Sequence, residues 1–144
     1  MPIDEHPAMI AARRSWAAVQ AGDKEAWLAL MADDVAIEDP IGEAPTNPSG
    51  LGSRGKSEVG AFFDANIGPN QIAIDVHTSR VAGNESAHHM TLTTTLPDGT
   101  KAVVTGLFAY RVDEDGLLAS LRGWWGMDDM TFVAPDTEAD ETGG

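Results

Sequence analysis

Asp39 closes the run Val35-Ala36-Ile37-Glu38-Asp39 just ahead of Pro40. Alternation in a strand sets Val35, Ile37 and Asp39 on one side and Ala36 and Glu38 on the other, and a proline without an N–H ends any ladder. If the apolar side faces the core, Asp39 is a desolvated carboxylate, and desolvation raises its pKa into the range of a usable base near neutral pH. The same position also suits a strand-end Asp that hydrogen-bonds the backbone of an Asp-Pro turn. Four Trp stand against one Tyr in the chain. Trp16 and Trp27 fall on apolar helical stripes, which favours core packing over ligand contact. Trp124 and Trp125 are neighbours on a strand and point to opposite faces, so one can line a cavity while the other packs outside.

His88-His89 and the row Thr91, Thr93, Thr95 raise the question of a metal. Adjacent histidines in a strand diverge, and His77 has no ligand-like spacing to either, so no second and third ligand are in sight and no metal or cofactor is expected. The alternation gives one face of His89, Thr91, Thr93 and Thr95 and another of His88, Met90, Leu92, Thr94 and Leu96. If the first lines a cavity, His89 is a polar contact for a ligand; if it faces water, the row is a solvated sheet face. No phosphate-binding loop, dinucleotide fingerprint or nucleophile elbow is present.

These residues need elements to hold them. Met9, Ala12, Trp16 and Val19 mark an amphipathic helix over 9–21, stopped by Gly22. Asp23 is an N-cap for a second helix through Trp27, Leu30 and Met31 to about Ala32. Residues 40–55 hold three Pro and four Gly, the composition of an irregular loop that could flank a pocket mouth. Val59, Phe62 and Phe63 predict a third helix over 56–66, which Gly60 weakens by about 1 kcal/mol relative to Ala. Strand-like segments follow at about 71–80, 86–96, 101–112 and 117–127, with turns at 82–84, 97–99 and 113–116 that make them an antiparallel meander. Helices followed by such strands imply an α+β domain in which a strongly curved antiparallel sheet wraps about three helices and encloses a cavity. The expected limits are a flexible start over 1–7, a single domain over 8–133 and a disordered acidic tail over 134–144.

Nine Lys and Arg against 23 Asp and Glu give 144 residues a net charge of −14. Such a charge repels phosphate backbones and anionic lipid, so neither nucleic acid nor a membrane surface is expected as a partner. Without cysteine there is no disulfide scaffold and no thiolate nucleophile. No apolar stretch is long enough for a membrane span or arranged as a signal peptide, which leaves the cytoplasm as the expected location.

The strings Ala21-Gly22-Asp23, Ala29-Leu30, Ala32-Asp33-Asp34 and Glu38-Asp39-Pro40-Ile41-Gly42 resemble the bacterial Δ5-3-ketosteroid isomerases of the nuclear-transport-factor-2-like, or SnoaL-like, superfamily. The likeness runs through the Phe62-Phe63 helix, Lys101 to Val104, Tyr110-Arg111 and Arg122 to Gly126, covering about residues 9–127, and is greatest to mycobacterial-type ketosteroid-isomerase-like proteins. It implies a cone-shaped barrel, a homodimer packed through its sheet, a cavity for a small apolar polycyclic ligand of steroid type, and Asp39 as the base. The enzyme is itself a worked case of pKa tuning, with an Asp base and an oxyanion hole of a Tyr and a protonated Asp.

The resemblance also shows departures. The family's helix-1 Tyr falls on Ser15, beside Trp16, its protonated Asp on Phe108, and a supporting Tyr near Phe63. Phe108 and Phe63 donate no hydrogen bond and Ser15 has a short reach. Loss of one oxyanion donor in other enzymes costs on the order of 10²–10³ in rate. Phe62 and Trp125 fall where the family has aromatic pocket walls, and Phe108 adds a ring. Replacement donors are open between Ser15, His89, a Trp indole and an ordered water. Two functions follow, a steroid Δ-isomerase with an atypical oxyanion hole and a steroid-binding protein without turnover. A third is another SnoaL-like enzyme such as a cyclase, dehydratase or epoxide hydrolase.

Overall fold

The structure is a computed structural model and describes residues 1–135. The tail expected to be disordered therefore lies, from residue 136 onward, outside the described residues. At the start of the chain Ile3–Glu5 form a 3-10 turn, and Arg13 on the first helix pairs with Asp4. The His6 ring receives the Ala8 N–H at Nδ1 and bonds the Gly83 carbonyl through Nε2, so it caps that helix and ties it to a sheet turn.

Helix α1 spans Pro7–Ala21, with proline at its first position, where a missing N–H costs nothing. It ends as Gly22 enters the left-handed region at φ 68°, with the Gly22 and Asp23 N–H groups closing on the Val19 and Ala18 carbonyls. Asp23 accepts the Ala26 N–H and so caps α2, Lys24–Ala29. Here the sequence expectation is corrected. Leu30 ends the helix, and Met31 begins strand β1, Met31–Glu38, paired to Leu118. Trp27 and Met31 are both buried, so a helical stripe and a helix-to-strand junction present the same apolar spacing.

After the irregular loop come β2, Ser53–Arg54, and α3, Gly55–Asn66. The meander follows as β3 Gln71–Ala82, β4 Glu85–Thr95, β5 Lys101–Val112 and β6 Leu118–Trp124. The path of the seven-stranded sheet is β2-β1-β6-β5-β4-β3. It is mixed, not wholly antiparallel, because β1 enters from the helices and runs parallel to β6, with Ile37 opposite Leu121. The segment expected as one strand to residue 127 breaks instead. β6 ends at Trp124, a 3-10 turn at Met127–Asp129 follows, and β7, Met130–Val133, returns to β5. The break passes Gly106, where a Cβ would lie 2.7 Å from the Trp124 carbonyl oxygen, so only glycine lets the chain cross so closely.

The sheet curls around the helices, and their shared core holds Trp27, Met31, Val35, Ile37, Val59, Phe63 and Phe108. Among the described residues no helix is long and apolar enough to cross a membrane. One polar group is embedded between α1 and the sheet. Ser86 donates to the Ala8 carbonyl, so its oxygen is free to accept from His88 Nε2 at 2.7 Å, which leaves His88 Nδ1 to accept from Ser79 at 2.7 Å. This fixes a neutral imidazole protonated on Nε2. Burial, and secondarily the Arg13 charge, hold His88 down to about 4. Between about pH 6.5 and pH 4 the unfolded chain takes up a proton that the folded chain does not, so stability falls with pH across that window. Urea denaturation should show a loss of up to about 3 kcal/mol from this group, reduced in His88→Gln; parallel pH profiles of the two proteins would contradict this role.

Candidate active site

One cavity opens between the concave sheet and the helices. Asp39 reaches it at the end of β1, Ser15 and Trp16 from α1, Phe62 from α3, Phe108 from β5, and Trp125 from just past β6. Six of the seven residues expected at a site therefore meet. His89 does not. On β4 the inward set is Ser86, His88 and Met90, and His89 faces outward with its ring 5.0 Å from His77. The pleat decides this: His88 and Met90 are needed by the core, and a neighbour on a strand then takes the other face. Of the tryptophan pair, Trp124 is exposed with Arg122 over its ring, and Trp125 turns inward.

Asp39 is half-buried and lines this cavity. The Trp125 Nε1–H donates to Asp39 Oδ1 at 2.7 Å. Oδ2 has no protein donor among the described residues. Burial raises the carboxyl pKa, and the Trp125 bond pulls back only part of that rise. The backbone beside the carboxyl approaches closely, since a Cβ at Gly123 would lie 2.9 Å from Asp39 Oδ1 and 3.0 Å from the Phe108 ring. Glycine there lets the carboxyl, the ring and β6 occupy adjoining space.

The loop after Asp39 is pinned by residues that composition alone did not single out. Thr46 donates to the Asp39 carbonyl at 2.6 Å, and Ile41 N–H bonds the Gly123 carbonyl at 2.9 Å. Asn47, buried, donates to the Pro40 carbonyl and accepts the Gly52 N–H. These bonds fix the backbone on which the carboxyl is carried. A Pro- and Gly-rich run gives no hint of which Asn or Thr turns inward.

Tyr110 is the other residue that sequence reasoning passed over. It lines the cavity two positions beyond Phe108 on the same inward face of β5, and it is nearly fully buried. The alternation that places Phe108 inward also places Tyr110 inward, so the signal was present. Its hydroxyl oxygen accepts the Trp16 Nε1–H at 2.8 Å. Trp27 donates through its own Nε1 to Ser15 Oγ at 3.0 Å. Desolvation raises Tyr110 well above an ordinary tyrosine, and the nearby Asp39 charge adds to the rise. Phe63, where the resemblance puts a supporting Tyr, packs into the core against Trp27 with ring centroids 5.5 Å apart.

The domain family described as SnoaL-like matches residues 12–121. The chain belongs to the SnoaL-like family. Within it, this chain is 28% identical over 116 residues to the steroid Delta-isomerase of Nocardioides simplex, spanning 81% of this chain and 87% of that one. The Δ5-3-ketosteroid isomerase from Mycobacterium sp. superimposes with a TM-score of 0.87 at 51% identity, covering 89% of this chain and 99% of its own. A Mycobacterium tuberculosis protein solved in complex with estradiol-17beta-hemisuccinate gives a TM-score of 0.85 at 47% identity, with 89% and 100% covered. This SnoaL-like chain is thus ketosteroid-isomerase-like by its structural neighbours, and its α+β cone is the fold the resemblance implied.

Ionised Asp39 carries a desolvation cost that the single Trp125 bond does not cancel. A group whose folded pKa is raised destabilises the fold as pH rises through that value. Asp39→Asn keeps an acceptor for Trp125 and removes the charge, so it should raise the urea midpoint at pH 8. The gain should shrink as the pH is lowered. A variant less stable than the parent at pH 8 would show that the carboxylate is a net stabiliser.

Proposed function

We propose that the chain isomerises Δ5-3-ketosteroids, with Asp39 as the base that moves one proton. The carboxylate removes a proton from the carbon between the ketone and the double bond, which leaves a dienolate and a neutral Asp39. The same Asp39 O–H then returns the proton two carbons further along, and the double bond ends in conjugation with the ketone. No atom enters or leaves, and no cofactor is required. The observation that carries this reading is the carboxyl itself: desolvated, held at Oδ1 by the Trp125 N–H, and at the wall of an aromatic cavity. A raised pKa makes the ionised group a stronger base than a solvated carboxylate.

The apolar walls support a flat polycyclic substrate. Phe62, Phe108 and Trp125 give ring faces, and Val19, Ile72, Ile74, Leu92 and Val104 continue the lining. The related isomerases and the estradiol-17beta-hemisuccinate complex support a steroid in particular. Two exposed residues paired across strands, Leu107 and Trp124, offer an outer sheet face that suits a homodimer. A second reading, a steroid-binding protein without turnover, draws on Phe108 and Phe63, which supply no hydrogen bond where the related enzymes are expected to have donors.

Purified protein with a 5-ene-3-ketosteroid decides between them. Conjugated-ketone absorbance should grow, and Asp39→Asn should lower kcat by about 10²–10⁴-fold while the steroid still binds. The acid limb of the kcat profile should lie above the ordinary aspartate range. Saturable steroid binding with no growth of absorbance would select the binding protein.

A further inference from the structure

Two hydroxyls inside the cavity each receive an indole N–H. An indole N–H only donates, so Trp27 fills an acceptor position on Ser15 Oγ and Trp16 fills one on the Tyr110 oxygen. Ser15 and Tyr110 line the same cavity. The Tyr110 oxygen is held as an acceptor by Trp16, which leaves its O–H to be donated. Among the described residues no protein acceptor receives that hydrogen. Tyr110 lines the same cavity as Asp39, close enough to feel its charge.

Resting on the isomerase proposal above, we infer that the Tyr110 hydroxyl receives the steroid's 3-oxygen and stabilises the dienolate, as a substitute oxyanion donor. The donor has moved two residues along β5, one inward step of the pleat, from the position where Phe108 stands. Three features fit it to that task. The phenol stays protonated throughout the neutral range, since burial raises its pKa. Its oxygen is held by the Trp16 indole, so the donor is fixed before substrate arrives. Donation into its oxygen by the indole polarises the remaining O–H, since linked hydrogen bonds strengthen one another. Trp16 is then a positioning residue, acting through the phenol. A purely structural bridge between α1 and β5 accounts for the Trp16 bond but leaves the Tyr110 hydrogen without a partner in the dry core.

Tyr110→Phe keeps the ring and removes only this donor. It should lower kcat on the 5-ene-3-ketosteroid by about 10²–10³-fold, with KM changed less than about threefold and the urea midpoint nearly kept. Trp16→Phe should cost less, about 3–10-fold, because the phenol still reaches the substrate without the indole that holds its oxygen. A second readout is independent of turnover. Fluorescence competition compares a 3-ketosteroid with its 3-deoxy counterpart, and the wild type should prefer the ketone while Tyr110→Phe should not. If the wild type shows no turnover but has this Tyr110-dependent preference, the isomerase proposal fails and the oxygen-receiving hydroxyl stands. If Tyr110→Phe turns over within twofold of wild type, the inference is overturned and Asp39 chemistry remains.

Discussion

The structure depends on one unfavourable arrangement, a carboxyl taken out of water and given a single N–H in return. Burying an ionised carboxylate costs several kcal/mol unless partners offset it. Trp125 offers one bond to Oδ1, and neither lysine nor arginine lies within ion-pair distance of Asp39 among the described residues. Burial accordingly outweighs the bond and the pKa rises. A cation at this place would give a more stable protein and a weaker base. The fold supports a costly group because its usefulness and its cost have the same origin.

The rest of the architecture can be read as what holds that group in place. β1 delivers Asp39 to the cavity because it enters parallel to β6 and ends there. The sheet then breaks after Trp124, and the chain swings past Gly106 before β7 resumes pairing with β5. An unbroken β6 would keep its alternation and carry no such swing. Just past Trp124, the Trp125 indole donates to the carboxyl. Gly123 leaves room for the carboxyl and the Phe108 ring, and Asn47 anchors the loop behind Pro40. On the far side Trp16, Tyr110, Ser15 and Trp27 tie α1 to α2 and to β5 through polar hydrogens, so the helices are registered against the sheet by bonds as well as by packing.

Much of this is written in local patterns. The Gly22-Asp23 stop and cap, the meander turns and the inward face ending at Asp39 all follow from rules that act within a few residues, and they appear as expected. What escapes is decided at long range. Met31 obeys a helical stripe but pairs with Leu118, 87 residues away in the sequence, because the sheet takes it at the point where the helix can end. His88 and His89 are indistinguishable until the sheet has an inside. Tyr110 was visible as the second inward residue of its strand, yet its importance depends on a tryptophan 94 positions away. Ser15, Trp16, Phe62, Phe108 and Trp125, far apart in the sequence, line one cavity with Asp39.

A direct test is to titrate the Asp39 carboxyl itself, by carbon NMR of protein labelled at its aspartates, with Asp39→Asn used to assign the signal. The account predicts a midpoint clearly above the ordinary aspartate value of about 3.9, falling back toward it when access of water to the cavity is increased by Phe108→Ala. A midpoint at or below the ordinary value would mean that the carboxylate is solvated or well paired, and a desolvated base could not be the centre of this site.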